Sequence, residues 1–296
     1  MVWGMIGLFD SGHGGLTVLR ALTQRYPQIA FAYLGDHASA PYGNRPSDEI
    51  VALSTKGVEA LFGLGCSLVM LACNTATAIA GRKLQREWLP NSGWTGHNAI
   101  GIIAPTVEAA TQTPWAVTSP QYPQKYNTDT IAVFGTRRTI ASDVYPEEIR
   151  KRCPKVTVLQ QACPDLAGAI EEGAPEALLS HMIEGYVAEM LRTNDGHPPH
   201  RAILGCTHYP LVEHLFRLYL PPFTRLLSQP EIVADSLEDY LHRHPHYAGV
   251  PAKPGDKPLV FTTGDAARIE PSIARFWPDH PPFAPLDVTQ PRLARA

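Results

Sequence analysis

Leu68 to Thr77 reads LVMLACNTAT. Leu68 to Ala72 are apolar without a break, and Cys73, Asn74, Thr75 and Thr77 follow within five positions. A short continuous apolar run is the pattern of a strand buried on both faces, as in a parallel sheet. The polar cluster then stands at the carboxyl end of that strand, where open parallel sheets bind their ligands. Cys73 is therefore a thiol in a chemically useful place, with small hydrogen-bonding groups beside it.

The stretch has an echo. Arg201 to Pro210 reads RAILGCTHYP, in which the apolar Ala202 to Leu204 leads through Gly205 to Cys206, Thr207 and His208. Upstream, IGLFDS at Ile6 to Ser11 resembles IAVFGT at Ile131 to Thr136. The order strand, polar turn, then strand and cysteine thus occurs twice. Strands alternating with helical segments point to parallel α/β architecture. The expectation is two similar parallel-sheet α/β domains facing each other across a central cleft, each presenting one cysteine. Residues 1–101 with 210–296 are assigned to the first, which carries Cys73, and 102–209 to the second, which carries Cys206.

The 296 residues suffice for two domains, and 44% apolar with 18% charged composition suits a globular chain. A net charge of −3 argues against a general nucleic-acid surface. No apolar run reaches the ~18 residues of a membrane span. The opening MVWGMIGLFD lacks the basic start and cleavage site of a signal peptide. Five cysteines with no C-x-x-C pair favour free thiols in a reducing cytoplasm over a disulfide framework.

Met5 to Phe9 reads as a strand running into Asp10, Ser11, Gly12, His13, Gly14 and Gly15. Three glycines in four positions permit a tight turn and close backbone approach. The helix that follows carries Leu16, Leu19 and Leu22 on one face, and its exposed N–H groups would suit a carboxylate. The spacing is not a dinucleotide fingerprint. Further strands are expected at 30–34, 100–103, 131–134, 156–160 and 259–262. Helices are expected from Ser47 as N-cap, over 76–88, 174–191, 211–218, 231–242 and 266–276. Thr113 to Asp129 reads as a surface loop and Pro278 to Ala296 as an irregular tail.

DSGHGGLTVL at Asp10 to Leu19, PYGNR at Pro41 to Arg45, ACNTATA at Ala72 to Ala78 and GCTHYPL at Gly205 to Leu211 resemble motifs of glutamate racemases. GTRRTIASDVY at Gly135 to Tyr145, ACPDLAGAIEEG at Ala162 to Gly173 and TTGD at Thr262 to Asp265 fit the same family, in family order over nearly the whole chain. The Gly-Gly-Met turn with which related aspartate racemases usually open is absent. The resemblance implies a racemase that uses no cofactor or metal and supplies D-glutamate for peptidoglycan, with a homodimer left open. It implies Cys73 and Cys206 as catalytic pair. Asp10, Ser11, Tyr42, Gly43, Asn74, Thr75, Thr207 and His208 match its substrate-contacting positions.

The residues make chemical sense of this. Inverting an α-carbon needs a base on one face and an acid on the other, so one thiol must be ionised and the other not. An ordinary thiol pKa of ~8.5 leaves a few per cent thiolate at neutral pH, so neighbours are expected to lower it. Asp10 is a candidate to take the Cys73 proton; His208, or secondarily Glu171, would serve Cys206. Ser11, Thr75 and Thr207 are suitable donors to the substrate carboxylate. Cys66, Cys153 and Cys163 lack this context and read as structural. His13 reads as solvent-facing and His37 as a loop histidine. His242, His244 and His246 read as solvated rather than metal-binding. Racemisation of another amino acid, such as aspartate, and a binding role without turnover are the alternatives.

Overall fold

The apolar runs become strands whose alternate side chains enter different cores. The computed structural model describes residues 4–124, 128–249, 251–253 and 255–289. In chain order these begin with β1 (Ile6–Asp10), α1 (Leu16–Arg25), β2 (Phe31–Gly35), α2 (Ser47–Gly63), β3 (Leu68–Leu71), α3 (Asn74–Lys83), β4 (Asn98–Gly101) and α4 (Ile103–Thr111). Next come β5 (Thr130–Gly135), α5 (Arg137–Ala141), α6 (Val144–Arg152), β6 (Thr157–Ala162), α7 (Leu166–Glu172), α8 (Glu176–Arg192) and β7 (Arg201–Gly205). The chain closes with α9 (Glu213–Tyr219), β8 (Arg225–Leu227), α10 (Gln229–Arg243), β9 (Leu259–Thr262), α11 (Ala266–Phe276) and β10 (Ala284–Pro285).

These strands form two parallel sheets, one ordered β10-β9-β2-β1-β3-β4 and the other β6-β5-β7-β8. Phe9 of β1 lies level with Leu34 of β2 and Leu71 of β3, and Phe134 of β5 with Gln161 of β6 and Leu204 of β7. In each sheet the chain goes from the central strand to a neighbour on one side and then returns to the other side. That leaves a crevice at the carboxyl ends of β1 and β3, and a second at those of β5 and β7. Cys73 and Cys206 follow β3 and β7. The repeat read from the sequence is therefore a repeat of topology.

Burial on both faces is literal. Leu68 and Met70 of β3 join one core cluster, while Val69 and Leu71 join another under α2 and α3. In β7, Ala202 and Leu204 join the first cluster and Ile203 a third. The first cluster also contains Ile6, Leu8 and Phe134, so it includes residues of both sheets.

Several boundaries differ from expectation. Ser47 is the first helical residue of α2 rather than its cap; Pro46 holds the cap position without a side-chain hydrogen bond, while Asp48 and Glu49 lie in the first turn. β4 begins at Asn98, and Ile103 already belongs to α4. The helix expected over 76–88 begins at Asn74 and widens into a π turn over Leu84–Trp88. β8 pairs with β7, so residues 225–227 go with the second sheet and not, as the boundary at 210 had it, with the first. The tail contributes β10, which pairs with β9, and buries Phe283 and Leu286; residues 290–296 lie outside the described residues, as do 1–3 of the opening stretch and 125–127 of the 113–129 loop. Among the described residues no helix is long and apolar enough to cross a membrane.

Candidate active site

A cavity of about 140 Å³ opens between the two sheets, lined by Ser11, Tyr42, Gly43, Cys73, Asn74 and Thr75 from the first and Thr136, Cys163, Glu171, Cys206, Thr207 and His208 from the second. A larger cavity of about 280 Å³ between α3, α4 and α10 has no cysteine in its lining. The thiols single out the smaller one as the candidate site.

Each cysteine arrives by the same route, a buried strand ending at the cleft. Cys73 is the N-cap of α3, and its sulfur accepts the Ala76 N–H at 3.4 Å. Ser11 Oγ, from the end of β1, lies 3.4 Å from that sulfur. Cys206 Sγ lies 3.7 Å from His208 Nδ1, and His208 Nε2 lies 3.0 Å from Glu171 Oε2. Both cysteines are 6% exposed. The β1–α1 loop approaches the second sheet so closely that a Cβ on Gly14 would overlap the Thr207 and His208 side chains. Thr17 Oγ1 donates to the Thr207 carbonyl at 3.2 Å, tying that loop's helix to the Cys206 turn.

The electrostatics of the two thiols differ. Burial, with the negative charge of Asp10 added, pushes the Cys73 thiol up to about 12. This corrects the expectation that Asp10 helps to ionise Cys73, which is a thiol at neutral pH. Burial alone would lower His208, but its hydrogen bonds to Cys206 and Glu171 win and raise it to about 10. Burial would raise Glu171, yet the same pairing brings it down to about 2. His208 is therefore an imidazolium held against a carboxylate, with its other nitrogen facing the Cys206 sulfur.

Asp10 is fully buried and does not line the cavity. Its Oδ2 accepts the Gly15 N–H at 2.9 Å, the Gly12 N–H at 3.4 Å and the Tyr33 hydroxyl at 3.3 Å, so it shapes the loop that carries Ser11. Among the described residues it makes no hydrogen bond to Cys73, and its Oδ1 has no partner. Tyr42 lines the cavity but spends its hydroxyl on Asp36 Oδ2, 2.7 Å away. Asn74 Oδ1 accepts from Tyr145 Oη at 2.8 Å and from Gln229 Nε2 at 3.1 Å, so much of its side chain is taken up internally. Thr75 Oγ1 meets Thr136 Oγ1 at 3.0 Å and Thr139 Oγ1 at 3.2 Å, a hydroxyl cluster shared by both sheets.

Thr136 has no role assigned from the sequence, and Cys163, which reads there as structural, lines the cavity. The echo of IGLFDS in IAVFGT carried the signal for the first, since Thr136 is the counterpart of Ser11. Cys163 lies one residue beyond β6 and three beyond the strand expected at 156–160, and has no such counterpart. His13 was expected in solvent but is 1% exposed, its ring edge-on to Phe276 and 3.2 Å from His37 Nε2. The triplet His242, His244 and His246 lies away from the cavity, with His244 and His246 packed around Tyr247.

No family model matches the chain. The glutamate racemase of Phenylobacterium zucineum (strain HLK1) is 48% identical over 276 residues, 92% of this chain and 96% of the relative. The chain belongs to the glutamate racemase family. The crystal structure of the glutamate racemase isoform RacE1 from Bacillus anthracis matches with a TM-score of 0.81 at 28% identity, over 97% of this chain and 98% of that one. An aspartate racemase of Picrophilus torridus shares the fold alone, with a TM-score of 0.53 at 15% identity over 83% of this chain and 100% of that one. The two parallel α/β sheets are thus the glutamate racemase architecture, and the fold-only likeness of the aspartate enzyme does not support the aspartate alternative.

Proposed function

We propose that this chain interconverts L- and D-glutamate by proton transfer between two thiols, Cys73 and Cys206. The observation that carries the reading is one cysteine from each sheet lining a single cavity, in a chain 48% identical to a glutamate racemase. In this scheme Cys73 holds its proton and Cys206, whose sulfur faces the His208 imidazolium, acts as the base. Cys206 removes the α-proton from the enantiomer whose hydrogen faces it, and Cys73 delivers its proton to the opposite face. The thiols then hold exchanged roles, suited to the other enantiomer or reset by proton exchange with water.

The α-proton is barely acidic because the adjacent carboxylate is already negative. Donors fixed where charge develops stabilise the transition state. Ser11, Thr75 and Thr207 serve that carboxylate, and the Tyr42–Gly43 segment lines the end available to the side chain. Asp10 acts behind them by fixing the Ser11 loop. Asn74 and His208 complete the lining. Two thiols suffice for the proton inventory, so no cofactor or metal enters the scheme. In the cell this activity supplies D-glutamate for peptidoglycan from the cytoplasm.

The test is to follow D- and L-glutamate separately by circular dichroism, and by proton NMR in deuterated water, with EDTA present. Both enantiomers should racemise with α-deuterium incorporation, while L-aspartate should not. Turnover of aspartate in preference to glutamate, or activity abolished by EDTA, would overturn the reading.

A further inference from the structure

The histidine that the sequence placed in solvent lies directly behind the Cys206 side of the site. His37 Nδ1 is 3.1 Å from the Gly35 carbonyl and 2.9 Å from Thr262 Oγ1. A carbonyl only accepts, so His37 carries its proton on Nδ1 and presents a bare Nε2. That nitrogen is 3.2 Å from His13 Nδ1, which must therefore carry a proton. The same His13 nitrogen, its one proton directed at His37, packs 3.7 Å from Glu171 Oε1 and walls in the carboxylate, whose other oxygen holds His208. His13 Nε2 is buried without a partner, which fixes the ring as neutral and keeps a second cation away from His208. Phe276 packs edge-on against both rings, at 4.7 Å from His13 and 5.3 Å from His208. From α11, Arg275 also donates to the Glu171 carbonyl at 2.9 Å.

The ownership of these groups gives the arrangement its meaning. His13, His37 and Thr262 extend from strands of the first sheet, whereas Glu171 and His208 belong to the second. Glu171 is one-third exposed, free to swing to water unless something holds it. A carboxylate that holds an imidazole sets both its orientation and its charge.

We propose that His13 is a positioning residue for the Cys206 half of the site: backed by His37, it confines Glu171 to the position that holds His208 against Cys206. It does not line the cavity that holds the thiols and acts across the cleft, so the first sheet helps to hold the His208 imidazole against the second sheet's cysteine. The inference rests on the two-thiol reading, but it can fail separately from it.

The experiment measures iodoacetamide alkylation of each cysteine by peptide mapping at neutral pH, with kcat and KM for both enantiomers. In His13→Leu, Cys206 should alkylate about tenfold more slowly, the change that a one-unit upward shift of the thiol would give, while Cys73 is unchanged. His13→Gln, which keeps the bulk and an N–H for His37, should retain most of the rate. Glu171→Gln should slow Cys206 similarly, and adding His13→Leu to it should slow it no further, since both act through one carboxylate. In His13→Leu, kcat should fall with KM little changed. An unchanged Cys206 rate in a folded His13→Leu variant, or equal slowing of both cysteines, would overturn the proposal. If His13→Leu does not fold, the comparison of His13→Gln with wild type decides: slowing as deep as that of Glu171→Gln would overturn it. If wild type fails to racemise glutamate, the functional reading falls, while the alkylation rates still report on His13.

Discussion

His208 and His13 sit 6.2 Å apart with opposite ionisations, and the folded protein should show both in its response to pH. His208 is raised from 6.5 to about 10, so its contribution to stability is complete below 6.5 and is lost as pH rises through about 10. Burial lowers His13 from 6.5 to about 3, and between those values the unfolded chain binds a proton that the folded one refuses. His37 is lowered for the same reason. Glu171, lowered from 4.5 to about 2, adds stability that is present above 4.5 and lost as pH falls through about 2. Urea midpoints should therefore peak near the ordinary histidine value and decline on both sides. His13→Gln, neutral at every pH, should shrink the acid limb and keep the alkaline one; an unchanged acid limb would show that His13 is charged in the fold. The sequence could not deliver this pair. Ser11, Cys73, Thr75, Thr207 and His208 follow strands in repeated motifs and were legible. His13 lies among glycines, which usually means a surface turn, and only its tertiary neighbours Phe276 and His37 bury it.

At the level of elements, α2 is joined to the first sheet by a missing side chain. Gly57 lies in mid-helix, and a Cβ there would overlap the Phe9 ring of β1. On propensity alone Gly57→Ala should stabilise a helix interior by about 1 kcal/mol. Overpacking a filled core costs about 1–3 kcal/mol, and both ends of this contact are confined, since Phe9 is fully buried between β2 and β3. The packing term should win, so the variant should unfold at lower urea with the same m-value, and a raised midpoint would show that α2 can shift outward. Helices and strands of this kind were readable where periodicity was long: the strand at 259–262 and the helix at 266–276 match to the residue. β8 and β10, three and two residues long, carry too little pattern to be seen, and their existence depends on partners already in place. The cap of α2 was misread because Ser47 is a good cap by type, while the preceding Pro46 has the fixed φ and extended conformation that the position takes.

In the molecule as a whole, each sheet brings one thiol to the cleft, and a buried network ties the two together. Gln229 Nε2 donates to Thr106 Oγ1 at 2.9 Å and to Asn74 Oδ1 at 3.1 Å, and Asn74 Oδ1 also accepts the Tyr145 hydroxyl. The repeat made two halves visible in the sequence. The return of the chain to the first unit was read, but its place was not, because a polypeptide crossing between units here carries no linker composition. This division of the molecule dictates how single-thiol variants should behave. Cys73→Ala and Cys206→Ala each remove one face of the two-thiol scheme, so each should abolish racemisation. The surviving thiol can still take the α-hydrogen that faces it and return a solvent deuteron only to that same face. Exchange without inversion should then persist for one enantiomer in Cys73→Ala and for the other in Cys206→Ala. The two rates should differ, because Cys206 keeps the His208 imidazolium while Cys73 is pushed up by burial and by Asp10. Cys73→Ala should retain the faster exchange. Proton NMR of D- and L-glutamate in deuterated water, with each variant, reads both outcomes. Racemisation by either variant would rule out the two-thiol mechanism, and exchange of the same enantiomer in both would place the two thiols on one face of the substrate.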